Sequence, residues 1–177
     1  KILTVSKAHG LYVVIDEAFI EFYTDYEKCE ACTLIPHFEN LIIVRSLTKF
    51  YGLPGLRIGY ALATPKIIES MKSLQYPWSI NCIADIIPQY FLPSTSKLEG
   101  TCYHERTRRL VKNEMQYLFT NLSKTGFLKP FPPSVNFILC KITKSTMTSS
   151  GLRDILAGHG ILIRDCSTMP GLSDKFI

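Results

Sequence analysis

Ser46-Leu-Thr-Lys-Phe-Tyr-Gly-Leu-Pro-Gly-Leu-Arg-Ile-Gly59 is the stretch on which the reading of this chain turns. It lies between two apolar runs, Leu41-Ile-Ile-Val44 and Ile58-Gly-Tyr-Ala-Leu-Ala63. A third run, Leu11-Tyr-Val-Val-Ile15, ends in Asp16-Glu17. Runs that stay apolar without alternating are the mark of strands covered on both faces, as in a largely parallel sheet. Open sheets of this kind bind ligands beyond the carboxyl ends of their strands. Asp16 and Ser46-Leu-Thr-Lys49 fall at such ends, and Arg57 follows eight residues past Lys49. Singly, each has an ordinary explanation: a turn aspartate, a solvated lysine, a surface arginine.

Composition places few limits on this reading. The chain has 177 residues, 46% hydrophobic and 20% charged, which excludes general disorder and leaves room for a full core. No apolar run approaches the ~20 residues of a membrane-spanning helix. Twenty Lys and Arg against 15 Asp and Glu give a net charge of +5 without a dense basic block, so charge does not point to nucleic acid.

Outward from the central stretch, Pro65 opens an expected helix over Lys66–Leu74. A second is expected over Asn81–Leu92, interrupted at Pro88, with Asn81 as its cap. Pro93-Ser-Thr-Ser marks a boundary. It divides an α/β part, residues 1–93, from a smaller α+β part, residues 94–177. The second part opens with a long amphipathic helix, Lys97–Thr125. Its residues Leu110, Met115, Leu118, Phe119 and Leu122 are spaced as a core face. A strand Asn136–Ile142, a helix Ser150–Gly158 and a strand Ile161–Arg164 follow.

The six cysteines include one pair spaced as CxxC, Cys29 and Cys32. There is no second pair to complete a zinc site and no redox βαβ pattern. The expectation is reduced thiols in a cytoplasmic protein without a metal.

The segment Ser46–Gly59, with Asp16 upstream, resembles the cofactor-attachment signature of the pyridoxal-phosphate-dependent aminotransferase superfamily, fold type I. The resemblance implies pyridoxal 5'-phosphate as cofactor, with a role for each residue. Lys49 is the amine that holds the cofactor's aldehyde. Asp16 keeps the ring nitrogen protonated. Ser46, Thr48 and Arg57 bind the phosphate. Thr48 stands where many relatives have Ser and keeps the hydroxyl.

Within the superfamily, Asp16-Glu-Ala-Phe-Ile-Glu-Phe22 resembles the branch of histidinol-phosphate aminotransferase and threonine-phosphate decarboxylase. Pro77-Trp-Ser-Ile-Asn81 and Ile161–Leu172 are more similar to the decarboxylase. The aminotransferase carries Tyr where this chain has Phe19, and Phe has no hydroxyl to donate to the cofactor. Arg164 matches an arginine that contacts a substrate's phosphate. The resemblance implies decarboxylation of O-phospho-L-threonine to aminopropanol phosphate for cobalamin assembly, in a homodimer. The alternatives are an aminotransferase and a non-catalytic remnant. The chain begins at Lys1 in a polar, helix-like stretch and ends on apolar Phe176-Ile177, so it is expected to be a piece of a longer protein, inactive by itself.

Overall fold

The computed structural model describes residues 1–91 and 103–177. They pack as two units, Lys1–Arg108 and Arg109–Ile177. The expected division after residue 93 lies outside the described residues.

The first unit opens with helix α1, Ile2–Ala8, and strand β1, Val13–Asp16. A short helix α2, Tyr26–Cys29, and a 3-10 stretch, Ala31–His37, lead to strand β2, Leu41–Ser46. One helical turn, α3 (Leu47–Phe50), and a 3-10 turn at Pro54–Leu56 connect to strand β3, Gly59–Leu62. Helix α4 follows at Pro65–Ser73, with Pro65 in its first turn as expected.

The sheet order is β1-β2-β3. β1 and β2 are parallel, with Asp16 opposite Val44. β3 corrects one expectation: it runs antiparallel to β2, with Ser46 opposite Gly59. The twelve residues between them hold only single helical turns, not the crossover helix that usually makes a parallel return. The reversal still serves the site, because it brings the start of β3 beside the end of β2.

Leu41 and Ile43 are fully buried and, with Leu3 and Ala31, form the core of this unit. β1 is covered on one face only: Val14 is 60% exposed. Pro88 splits the second expected helix into α5, Cys82–Ile86, and α6, Pro88–Phe91. Asn81 caps α5 by accepting from the Ala84 N–H at 2.9 Å.

Helix α7, Tyr103–Ser123, runs from the first unit into the second. The part of the long helix expected before Tyr103 lies outside the described residues. Leu110 and Leu118, expected in a core, are exposed, and no residue of α7 is fully buried. Helical spacing identifies a face, but not whether this chain covers it. In the second unit β4, Leu128–Pro130, pairs antiparallel with β5, Cys140–Ile142. The backbone of residues 175–177 bonds along the other side of β5. Helix α8, Ser149–Ala157, is capped by Thr148. The expected strand Ile161–Arg164 is absent: that stretch makes no ladder, and residues at the chain's end take the place beside β5. Among the described residues no helix is long and apolar enough to cross a membrane.

Candidate active site

The end of β2 turns directly into α3, and this turn carries three of the expected residues. Ser46 caps α3, its Oγ accepting from the Thr48 N–H at 3.3 Å. The Ser46 and Thr48 hydroxyls lie 2.7 Å apart. Lys49 Nζ donates to Thr48 Oγ1 at 3.2 Å. Thr48 is buried and Lys49 exposed, so the amine stands at the surface above a hydroxyl pair. Phe19 lies beside it, with its ring centroid 5.8 Å from Nζ.

Asp16 ends β1, and its Oδ1 accepts from the Ala18 N–H at 2.9 Å. It is exposed and level with Val44, two residues before Ser46. Arg57 is held in a left-handed conformation, φ 52°, and its Nη1 donates to the Pro54 carbonyl at 3.3 Å. Such a conformation is uncommon for a residue other than glycine and marks a constrained turn. Gly59 follows because a Cβ there would lie 2.6 Å from the Arg45 carbonyl oxygen. Five expected residues, Asp16, Ser46, Thr48, Lys49 and Arg57, thus sit around the carboxyl ends of β1 and β2. Arg164 belongs to the second unit, where it is exposed. The next residue, Asp165, accepts from Ser149 Oγ at 2.7 Å and the Ser167 N–H at 2.9 Å. These bonds hold its carboxyl at about 2, below the ordinary carboxylate range.

The sequence reading missed a buried ionic group behind the turn. Glu17 Oε2 accepts from Arg45 Nε and Nη2 at 2.9 and 2.8 Å. Glu17 Oε1 takes the Ala31 N–H at 2.6 Å. Arg45 Nη2 also reaches Glu30 at 2.8 Å. Burial disfavours the Arg45 cation, but hydrogen bonds to Glu30, Glu17 and Tyr60 outweigh it and hold its pKa above the ordinary value. Removing one member of such a buried pair costs about 3–5 kcal/mol. The signal in the sequence was a charged residue one or two places after an apolar strand run, Arg45 after Val44 and Glu17 after Ile15.

A second missed group is aromatic. Phe50 packs edge-on against Phe22 and Tyr51, and His104 stacks on it. The Tyr51 hydroxyl and His104 Nε2 are 2.9 Å apart. Burial pushes the Tyr51 phenol up to about 12, and burial with the nearby Arg108 lowers His104. Burial also raises the Glu21 carboxyl.

The family model described as Aminotransferase class I and II matches residues 1–173. The protein named "Putative threonine-phosphate decarboxylase" of Caldanaerobacter subterraneus subsp. tengcongensis is 34% identical over 99% of this chain and 46% of its own length. A histidinol-phosphate aminotransferase of Thermoanaerobacter pseudethanolicus is 35% identical over 95% of this chain and 43% of its own. The crystal structure of the histidinol-phosphate aminotransferase from Clostridium acetobutylicum superposes with a TM-score of 0.87 at 33% identity, covering 99% of this chain and 50% of that one. The chain spans about half the length of the relatives it matches.

Proposed function

The chain belongs to the aminotransferase class I and II family, and from that premise we propose that the full-length protein decarboxylates O-phospho-L-threonine to aminopropanol phosphate. The family is pyridoxal-phosphate-dependent. The residues present fit that group: an exposed primary amine, a pair of hydroxyls 2.7 Å apart for a phosphate, a constrained arginine, and a carboxylate on the neighbouring strand end. When bound, the cofactor supplies an electron sink for the pair released by bond cleavage at the substrate's α-carbon.

Lys49 Nζ would hold the cofactor covalently and, as a free amine, would carry a proton to or from the substrate's α-carbon. The Asp16 carboxylate keeps a proton on the ring nitrogen, because an adjacent anion favours the charged form. Ser46, Thr48 and Arg57 bind the phosphate, the hydroxyls as donors and the guanidinium as a planar cation. Arg164 takes the substrate's own phosphate. The protein acts as a homodimer in the cytoplasm.

The observation that carries the choice of reaction is Phe19 beside Lys49. A phenyl ring there offers no hydrogen bond where the aminotransferase pattern has a phenol, so the electronics of the site differ from those of a transaminating enzyme. The similarity to the Caldanaerobacter protein over 99% of the chain supports the same choice. Transamination of histidinol phosphate is the second reading, favoured by the 35% identity to the Thermoanaerobacter enzyme.

The test is the full-length protein with pyridoxal phosphate and O-phospho-L-threonine, with carbon dioxide as readout. Histidinol phosphate with 2-oxoglutarate is run alongside for glutamate. Carbon dioxide that disappears in Lys49→Ala is the expected result. Glutamate without carbon dioxide refutes the decarboxylase.

A further inference from the structure

We infer that Glu17 and Arg45 are positioning residues for the site, a clamp on the back of the sheet that sets the spacing between Asp16 and the Ser46–Lys49 turn. The inference rests on the reading of Lys49 and Asp16 as cofactor anchors and deepens it.

Side chains alternate across a strand, so neighbours point to opposite faces. Asp16 and Glu17 are neighbours, as are Arg45 and Ser46. The ladder continues through Glu17, whose N–H donates to the Val44 carbonyl at 2.8 Å, so the alternation holds to that residue. Asp16 and Ser46 therefore share one face, and Glu17 and Arg45 the other. Exposure separates the two sets: Asp16 is open to solvent, whereas the side chains of Glu17 and Arg45 are 5% and 10% exposed. On the buried face one carboxylate oxygen takes both Nε and Nη2 of the guanidinium. A two-point contact fixes angle as well as distance.

The clamp reaches further on both sides. Glu17 Oε1 holds the start of the 3-10 stretch through the Ala31 N–H. Arg45 faces Tyr60 across the β2–β3 register, with its cation beside the phenol. The guanidinium thus binds the end of β1 and lies level with β3 at the height of the proposed anchors. A site that grips a ligand from two strands at once needs them within about 0.5 Å of the binding geometry. The two-point contact adds a side-chain constraint to the last backbone rungs between β1 and β2.

The rival account is a purely structural ion pair. It lowers the stability of a variant but leaves the folded protein's cofactor affinity alone. The experiment measures three quantities on the full-length protein: Tm, the dissociation constant of pyridoxal phosphate, and the pH at which the Lys49-linked absorption band changes. It compares wild type with Arg45→Lys, Glu17→Gln, Glu30→Gln and Lys49→Ala. Arg45→Lys and Glu17→Gln should raise the dissociation constant on the order of tenfold, as loss of groups that orient ligands does elsewhere, and should shift the band's pH midpoint. Glu30→Gln, which leaves the two-point contact intact, should weaken cofactor binding less than either clamp variant. Lower Tm with unchanged affinity and band in both clamp variants overturns the inference. If Arg45→Lys does not fold, Glu17→Gln and Tyr60→Phe carry the same comparison. A band that persists in Lys49→Ala overturns the anchor reading, and the inference with it.

Discussion

Replacing Gly59 by alanine should loosen the site more than the addition of one methyl group suggests. The new Cβ would meet the Arg45 carbonyl oxygen at 2.6 Å, whereas real Cβ atoms essentially never come within 3.0 Å. The obstacle is backbone, so no side chain can swing away. Either β3 withdraws from β2 or the Arg45–Ser46 peptide tilts. Both movements fall on the Ser46–Gly59 pair, the last rung before the turn that carries Thr48 and Lys49. Overpacking of this kind costs about 1–3 kcal/mol. Urea unfolding should show a lower midpoint with an unchanged slope, and cofactor titration should show weaker binding. Gly55→Ala is the control, because a Cβ there meets nothing within 4 Å. It should stay within about 0.5 kcal/mol of wild type. If the two variants behave alike, the close approach at Gly59 does not constrain the strand ends and the reasoning fails.

Other outcomes follow from single residues. Arg164→Ala should raise KM for the phosphorylated substrate by about ten- to a hundredfold, the worth of a charged hydrogen bond, with cofactor affinity unchanged. An unchanged KM removes Arg164 from the substrate site. Asp165 titrates at about 2 against an ordinary 3.8, so its stabilising effect is complete above pH 3.8 and lost as pH falls toward 2. Asp165→Asn should therefore flatten the acid limb of the stability curve in that window and nowhere else. Tyr51 is raised from 10 to about 12, so its contribution is complete below pH 10 and lost as pH rises through 12. Tyr51→Phe should remove that alkaline loss, measured by thermal unfolding from pH 9 to 12. Burial raises the Glu21 carboxyl, so its ionisation opposes folding at neutral pH. Glu21→Gln should be at least as stable as wild type at pH 7, and a clear loss of stability would mean that the carboxylate has a favourable partner.

Much of the candidate site was legible because its residues are close in sequence. Ser46, Thr48, Lys49 and Arg57 lie within one connection between two apolar runs, and Asp16 ends a third. The strands themselves were visible for the same reason: Leu41 and Ile43 are fully buried, as an unbroken apolar run implies. The direction of β3 was not visible, because hydrophobicity records burial and not polarity. Long-range pairing was equally hidden. Glu17 meets Arg45, and Tyr51 meets His104, across separations that no local pattern encodes. The face of α7 was readable as a face, yet Leu110 and Leu118 are exposed in this chain. Ile161–Arg164 has the composition of a strand, but residues 175–177 make the backbone bonds along β5.

Attachment of the cofactor to Lys49 is the point on which the rest depends. The most direct measurement incubates the full-length protein with pyridoxal phosphate, reduces it with borohydride, digests it and locates the label by mass spectrometry. The account predicts one pyridoxyl group, on Lys49. A label on another lysine, or none at all, would contradict it.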